Sequence, residues 1–515
     1  MRRTIATALV ALSTALAVLP ADISSAEGSK PTPGVAAGDS VAARQADRSL
    51  ARAQQILAGG RGGQARPDAT LALVDLYQAL PNLDADERRQ AEGVLGRPTQ
   101  GASDPYGDGY TVPATKKCKK HFCLHYVTST TDAPPSMEWV NTSLRTMNKV
   151  WKHEVGKLNY RKPLTDAGKG GSRKFDVYLK DVGAKNLYGY CAPEAKPKYR
   201  KYTASGFCVL DNDFNPAQFG GQAAKASLRV TAAHEFFHAI QFGYDYADDR
   251  WFLEATATWM EERFADKIND NRQYLPYGQM AVPTSSLDRF RSPCCNQYAN
   301  WTFFEYLSSR YGNGVVRAAW QKAAAYKGAP DKYSIKAIAA VLGKRGGLPR
   351  VFARYAAYNV HPGRHYAEGG AWPSAEVAQS FKLQKSLRRG ASTVKIDHLA
   401  SRNFVAKPGK TLHSKKWKLR IKVAGPSRKT SPQVFVLVTR KHGSAIMKTV
   451  KLSRAGNGKV KVPFSHRKVR GVTVTIANVS TRYKCFPDNP KPFACSGKPK
   501  DQHKTFALHV KAVKG

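Results

Sequence analysis

The sequence is short of acidic residues. It contains 38 Asp and Glu against 82 Lys and Arg, so its 515 residues carry a formal net charge of +44. After residue 379 the shortage is extreme, because the acids that remain are Asp397, Asp488 and Asp501. This imbalance predicts attraction to polyanions such as nucleic acid, an anionic cell-wall polymer, an anionic membrane or an acidic substrate, and it says nothing about the fold.

Long apolar runs are also missing, apart from one near the start. Ile5–Leu19 follows the basic pair Arg2 and Arg3 and precedes the small residues Ser24, Ser25 and Ala26. This pattern is typical of a secretory signal peptide over residues 1–26, cleaved after Ala26. The rest of the sequence contains no stretch long enough to span a bilayer. We therefore expect a secreted, extracellular protein, free or associated with the cell wall, without stable membrane insertion.

The sequence has no Cys-x-x-Cys pair, which argues against a metal site built from cysteines. Its eight cysteines are an even number, which favours disulfides in an exported chain. Three pairs each close a short local loop, namely Cys118–Cys123, Cys191–Cys208 and Cys485–Cys495. Cys294 and Cys295 are left; they bridge each other as neighbours, or each pairs elsewhere.

Three regions of different texture follow the signal peptide. Residues 27–104 are rich in Ala, Arg, Gln and Gly and contain helical patterns near Ala43–Leu57 and Ala69–Leu95, which indicates a helical propeptide or spacer. Residues 105–378 combine strand and helix patterns, and residues 390–515 contain short alternating strands separated by Gly, Pro and Ser. The sequence therefore predicts an α+β fold that ends in an all-β, β-sandwich-like domain.

One stretch, TAAHEFFHAIQF, has the spacing of a metal site. His234 and His238 are four residues apart, so on a helix they lie on one face and can both reach a single Zn²⁺. Glu235 follows the first histidine, which completes the H-E-x-x-H pattern and puts a carboxylate beside the open position of the metal. The alternative is an ordinary helix with two polar-face histidines and a solvated glutamate.

A zinc site of this kind needs a third protein ligand and one open position. Glu254 lies sixteen residues after His238, which leaves room for a loop and a return helix. Glu261 and Glu262 compete with Glu254 for this role. We prefer Glu254, because its neighbours on the buried side are small and apolar and a carboxylate there needs a partner.

The segments HEFFH and WFLEATATWME resemble the gluzincin metallopeptidases, the thermolysin- and aminopeptidase-like zincins. WFLEATATWME is similar to the Trp-x-x-Glu-Gly-x-Ala segment of the aminopeptidase branch, which maps the glutamate ligand onto Glu254. Residues 105–330, which also include VLDNDF and YANWTFFEYLSSRYG, closely resemble a group of secreted bacterial metallopeptidases. The resemblance implies a zincin-like catalytic domain over residues 105–378. Two features depart from it: the Gly-x-Met-Glu-Asn motif is absent, and Thr258 stands where thermolysin-like members have Asp.

These features predict a zinc-dependent metalloendopeptidase that acts on protein or peptide substrates. Zinc would activate a water molecule, and Glu235 would act as the general base. The tetrahedral oxyanion needs a donor, for which Tyr298 is the first candidate and Tyr244 and Tyr246 are rivals. The alternative function is a non-catalytic protein with a zincin fold that binds a cell surface or a polyanion. The retained Glu235 favours the enzyme, because a non-catalytic descendant has no need of the base.

Two further features have alternatives. The acidic run Asp211–Phe214 binds Ca²⁺ or orients a histidine ligand, or it forms a turn whose side chains bind backbone groups. The Lys- and Arg-rich C-terminal domain binds an anionic polymer, or its charges form an ordinary solvated face.

Overall fold

The computed structural model describes residues 40–59, 69–103, 108–195, 202–291, 295–487 and 490–515. The predicted signal peptide over residues 1–26 lies outside these ranges, and so does Cys294. The α-helices are α1 Val41–Leu57, α2 Ala69–Ala79, α3 Ala85–Val94, α4 Met137–Trp151, α5 Ala224–Asp245, α6 Arg250–Ala265, α7 Asn296–Ala299, α8 Trp301–Tyr311, α9 Gly314–Ala323, α10 Ser334–Leu342 and α11 Leu348–Tyr358. The β-strands are β1 Thr115–Lys119, β2 Phe122–Tyr126, β3 Phe175–Lys180, β4 Gly189–Ala195, β5 Ser205–Asp211, β6 Val377–Leu383, β7 Arg389–Ile396, β8 Ala400–Pro408, β9 Trp417–Ala424, β10 Pro432–Arg440, β11 Ile446–Thr449, β12 Gly458–Pro463, β13 Val469–Asn478, β14 Tyr483–Lys484, β15 Lys498–Pro499 and β16 Lys504–Lys514. The fold is α+β, as predicted.

The N-terminal helices α1, α2 and α3 lie within the region assigned to a propeptide or spacer. The helical pattern predicted over Ala69–Leu95 is divided between α2 and α3, because Pro81 lies in a 3-10 turn and Asp84 begins a new helix through a capping box with Glu87. Buried residues of α1 and α2, such as Leu50 and Leu73, belong to the same hydrophobic core as the following domain. These helices are therefore part of one packed unit with residues that follow them.

The first sheet has the strand order β1-β2-β3-β5-β4. Strands β2, β3 and β5 are parallel, and the edge strands β1 and β4 are antiparallel to their neighbours. The predicted disulfide Cys118–Cys123 joins β1 to β2, and the predicted disulfide Cys191–Cys208 joins β4 to β5. Both pairs consist of residues directly opposite in register, and both predictions are confirmed.

Helix α5 packs against β4, β5 and α6. It is buried on almost every side; Phe236, Phe237, Ile240 and Phe242 are all inaccessible to solvent. A helix that is buried on all sides lies inside a protein. The few polar side chains of α5 are therefore surrounded by other residues and held in a defined environment. This burial matters for the site below, because α5 carries His234 and His238 and α6 carries Glu254.

Strands β6 to β16 form the C-terminal region. One sheet has the order β11-β10-β13-β8-β6 and the other has the order β12-β9-β16-β7, with a separate apolar core between them. This two-sheet arrangement begins with β6 at Val377, ahead of the predicted start near residue 390. The outer face of the five-stranded sheet contacts α11, and its Phe435 and Leu437 join the main core. The third predicted disulfide, Cys485–Cys495, is confirmed, and Cys295 is also disulfide-bonded.

Within the residues described, no helix has the length and apolar character needed to cross a membrane.

Candidate metal centre

His234, His238 and Glu254 meet at the contact between α5 and α6. His234 Nε2 lies 3.2 Å from Glu254 Oε2, and His238 Nε2 lies 3.5 Å from Glu254 Oε1. One potential ligand atom from each residue lies within 4.8 Å of the other two. The two histidines and the glutamate selected from the sequence are therefore close enough to share one ion.

The other nitrogen of each imidazole is held by a separate acceptor. His234 Nδ1 lies 2.6 Å from Glu261 Oε1, and His238 Nδ1 lies 2.7 Å from Gln241 Oε1. In the neutral imidazole, a hydrogen on Nδ1 that is donated in this way leaves a lone pair on Nε2, and both Nε2 atoms face Glu254. Glu261, which was a rival ligand in the sequence, thus contacts the outer nitrogen of His234. Thr258, which stands where thermolysin-like members have Asp, lies about one turn before Glu261 on α6.

The donor set fits a zinc ion by its chemistry. Two imidazole nitrogens and one carboxylate are a ligand set that catalytic zinc sites use, with a fourth position left for solvent or substrate. Glu254 is 2% exposed, and its Oε2 has no partner with good hydrogen-bond geometry. An unsatisfied buried carboxylate oxygen between two imidazoles is costly, and a cation bound there would compensate it.

The pKa values of the two histidines are shifted in opposite directions from the ordinary value. Burial lowers the pKa of His238 to about 4. Burial also opposes the charged form of His234, but the nearby carboxylates of Glu254 and Glu261 outweigh it and raise its pKa well above the ordinary value. A cation bound at Nε2 of His234 would compete with a proton for that nitrogen.

Glu235 lies beside this cluster and does not belong to it. Glu235 is 7% exposed, and burial raises the pKa of its carboxyl group to about 7. Its Oε2 accepts a hydrogen bond of 3.0 Å from the hydroxyl of Thr70 on α2. The same hydroxyl accepts a hydrogen bond of 2.9 Å from the backbone N–H of Cys191 on β4. Thr70 therefore fixes the orientation of the Glu235 carboxyl group relative to the sheet.

A cleft of about 270 Å³ opens beside His234 and Glu235. Tyr298 lines this cleft, with its ring centre 6.2 Å from that of His234, and it stacks on Tyr274 at 4.9 Å. The rivals Tyr244 and Tyr246 are buried elsewhere and do not line it. The structure thus places Tyr298, but neither rival, where it can face a bound molecule.

The remaining acidic candidates lie outside the centre. Glu262 accepts a hydrogen bond of 2.8 Å from Asn271 and approaches Asp266 and Glu368 instead of the histidines. In the run Asp211–Phe214, the carboxylate of Asp211 accepts hydrogen bonds from backbone N–H groups, one of them from Phe214 at 2.6 Å. These contacts are those of the turn alternative. Among the described residues, this run is not part of any cluster with the spacing of a metal site.

Sequence reasoning did not identify Gln241 or Thr70, and it considered Glu261 only as a rival ligand. Gln241 lies three positions after His238, so helical spacing places it beside that histidine; Glu261 lies seven positions after Glu254, so it lies on the same face of α6 as that residue. These two spacings were available signals. Thr70 gave no such signal, because it lies 165 residues before Glu235 and reaches it only through packing of α2 on β4.

Comparison with known proteins gives one family match. The model of a family of unknown function (DUF6055) matches residues 119–333, a range that includes α5, α6 and Tyr298. No curated protein matches the chain. A solved structure with some likeness is BtGH115A, a family GH115 4-O-methyl-α-glucuronidase with specificity for decorated arabinogalactans, at 7% identity and a TM-score of 0.13. The match covers 70% of this chain and 54% of that one, so the chain spans about half the length of that protein. The chain is similar to the family of unknown function over the region that contains the candidate metal centre.

Proposed function

We propose that the protein is a zinc-dependent metalloendopeptidase with a zincin-type catalytic domain. The observation that carries this proposal is the convergence of His234 Nε2, His238 Nε2 and the Glu254 carboxylate beside a cleft that Glu235 also lines. The disulfides agree with folding in an oxidising compartment, as expected if residues 1–26 direct secretion.

His234, His238 and Glu254 would hold the zinc ion. A bound zinc ion supplies Lewis-acid chemistry, because it polarises a peptide carbonyl and makes water more acidic. Gln241 and Glu261 would keep the two imidazole rings in the orientation that the ligands need.

Glu235 would act as the general base. A carboxyl group with a pKa of about 7 can both accept a proton from water and return it to the leaving amine near neutral pH. The hydrogen bond from Thr70 occupies Oε2 and fixes the plane of the carboxyl group. Tyr298, on the wall of the same cleft, would donate to the oxyanion that forms on the peptide carbonyl.

The charges of the cleft suit a cation. Its lining includes the acids Glu235, Glu261 and Asp270 and contains no Lys or Arg, although the whole chain has a net charge of +44. An acidic lining in a strongly basic protein lowers the local potential and favours binding of a divalent metal. No Gly-x-Met-Glu-Asn motif is present to anchor a substrate amine, so we propose cleavage within peptides.

The metal content of purified protein tests the first part of this proposal. Wild type should bind about one zinc per chain, as expected of a site with three protein ligands. His238→Ala should lose most of it. The matched control is His503→Ala, because His503 is exposed and lies in the C-terminal region. Equal, substoichiometric zinc in all three proteins would contradict the metal site.

The variant Glu235→Gln tests the base. It keeps the size of the side chain and the contact with Thr70 but cannot accept a proton. Zinc content and fold should be unchanged, and peptide cleavage should fall by about 10²- to 10⁴-fold. Loss of zinc would mean that Glu235 is a ligand. Zinc binding without cleavage of any peptide by the wild type would favour the alternative, a non-catalytic protein with a zincin fold.

A further inference from the structure

The outward face of the four-stranded sheet β12-β9-β16-β7 carries cations in register. Lys461 on β12 is paired with Arg420 on β9, Arg420 is paired with Lys511 on β16, and Lys511 is paired with Arg389 on β7. One cation from each strand therefore forms a row across the whole sheet. Neighbouring strands are about 4.8 Å apart, so the row repeats a positive charge at about that spacing.

A second row lies two residues along the strands. Lys459 is paired with Lys422, and Lys422 is paired with His509. A groove of about 680 Å³ runs beside this row, and its lining includes Lys422, Lys451, Lys459 and His509 together with apolar residues such as Leu452. We call the six Lys and Arg residues of these two rows the cation ladder: Lys461, Arg420, Lys511, Arg389, Lys459 and Lys422. The outward positions of the four strands contain no acid.

This arrangement is unfavourable in the absence of a ligand. Like charges directly opposite one another on a sheet destabilise it. The crowding has a visible consequence at Lys511, where the positive charge of Arg389, aided by that of Arg420, lowers the pKa of the amine below its ordinary value. The opposite faces of the two central strands, β9 and β16, are apolar and mostly buried, so packing of the core does not require cations at the outward positions.

The side chains of the cation ladder limit the classes of ligand that it can bind. The outward positions of these strands contain no Phe, Tyr or Trp, and Trp417 points into the core. Proteins that bind single-stranded nucleic acid stack bases on aromatic rings, and membrane-surface elements bury large apolar side chains among lipids. Neither group is present here. Arg and Lys recognise phosphate and carboxylate groups through charge and hydrogen bonds, without contacts to bases.

We propose that the cation ladder is a binding site for a linear, base-free polyanion, that is, a glycopolymer of a cell surface with phosphate or carboxylate groups on successive units. The chain would lie along the rows, across the strands, so that its charges meet cations from all four strands. This site is independent of the metal centre. It would hold the protein near a cell surface whether or not the protein cleaves peptides.

Binding of the full-length protein to two polymers tests the proposal. Long-chain polyphosphate represents the phosphate source, and polygalacturonate represents the carboxylate source. In Arg420→Gln/Lys511→Gln, affinity should fall by about tenfold or more, and the slope of log affinity against log salt should decrease by about 0.7 for each cation removed. If the wild type binds only one of the two polymers, that polymer shows whether the ligand carries phosphate or carboxylate groups. The absence of binding to both would overturn the proposal.

The matched control removes the same charge from the other sheet. Lys407→Gln/Lys448→Gln alters two exposed lysines on β8 and β11 and should leave affinity close to that of wild type. Equal losses in both double variants would mean that net charge alone drives binding and that the ladder is not a site.

Tighter binding of oligothymidylate or of phosphatidylglycerol vesicles than of either polymer would also overturn the proposal. The ladder variant should be as stable as wild type or more stable, because repulsion is removed; a less stable variant would contradict the like-charge argument.

Discussion

The contact between His238 and Gln241 decides which imidazole nitrogen faces Glu254. The Gln241 amide donates to the Leu253 carbonyl at 3.0 Å and to Thr256 Oγ1 at 3.1 Å, so its oxygen is left to accept from His238 Nδ1. His238 therefore presents an unprotonated Nε2 toward Glu254. Gln241 has a second effect, because its amide ties α5 to α6 and holds the ligands of both helices together.

Substitution of Gln241 separates these two effects. Gln241→Leu removes the acceptor, and zinc affinity should fall by about 10- to 100-fold. Gln241→Glu keeps an acceptor for His238 and loses the donor to α6, so zinc affinity should stay near that of wild type while thermal stability decreases. Competitive titration with a chromophoric zinc chelator measures both variants. Equal affinity in the leucine variant and the wild type would contradict the orienting role.

At the scale of elements, the N-terminal helical region is joined to the sheet by buried charge. Arg97 follows α3 and is 5% exposed. Its guanidinium group makes contacts of 2.6 Å with each of Asp166, Asp176 and Glu194. Asp176 lies on β3 and Glu194 lies on β4, so one side chain of the predicted propeptide or spacer neutralises acids on two strands. Release of this region would remove the buried cation that these three acids share, although His125 still contacts Asp176 and Lys169 still contacts Glu194.

Arg97→Met tests this role. The variant keeps the bulk of the side chain but leaves three carboxylates without their cation, and removal of one partner from a buried pair costs about 3–5 kcal/mol of unfolding free energy. Urea unfolding followed by tryptophan fluorescence measures the loss. The matched control is Arg89→Met, whose pair with Asp86 on α3 is exposed and should contribute at most about 0.5 kcal/mol. Similar unfolding curves for both variants would show that the Arg97 contacts are not needed.

Local patterns predicted much of the site, and long-range packing supplied the rest. Four-residue spacing placed His234 and His238 on one helix, and the apolar residues around Glu254 indicated a second helix beside it. The sequence could not show that Thr70 reaches Glu235, because their contact depends on how α2 packs on β4. Nor could it show the cation ladder. Alternation along β9 predicts outward cations, but their alignment depends on the strand order β12-β9-β16-β7, which joins strands far apart in sequence.

At the scale of the whole molecule, the region that contains the candidate metal centre and the C-terminal region of two sheets are joined by a buried ion pair. Asp288 precedes α7, and His398 lies between β7 and β8; their side chains are 2.8 Å apart and at most 1% exposed. Tyr483 donates a hydrogen bond of 2.7 Å to the second oxygen of Asp288. Burial opposes the charged form of both side chains, but the attraction between them is stronger. The pKa of Asp288 is therefore lowered and that of His398 is raised.

These shifts define a pH window for the stability of the joint. The lowered pKa of Asp288 gives stability that is fully present above the unfolded value of about 3.9 and is lost as pH falls through the folded value. The raised pKa of His398 gives stability that is fully present below about 6.5 and is lost as pH rises through the folded value. The ion pair should therefore contribute most between about pH 4 and pH 6.5.

Asp288→Asn should remove this contribution. The difference in unfolding free energy between wild type and variant should be about 3–5 kcal/mol within the window, because a buried pair loses one partner. It should shrink on both sides of the window, which urea unfolding at a series of pH values measures. Asp86→Asn is the matched control, because Asp86 pairs with Arg89 on α3, both side chains are mostly exposed, and solvent screens that pair. If the Asp288 difference did not change with pH, the two regions would be held together by the apolar contacts of α11 with the five-stranded sheet, and the charge on the pair would not matter.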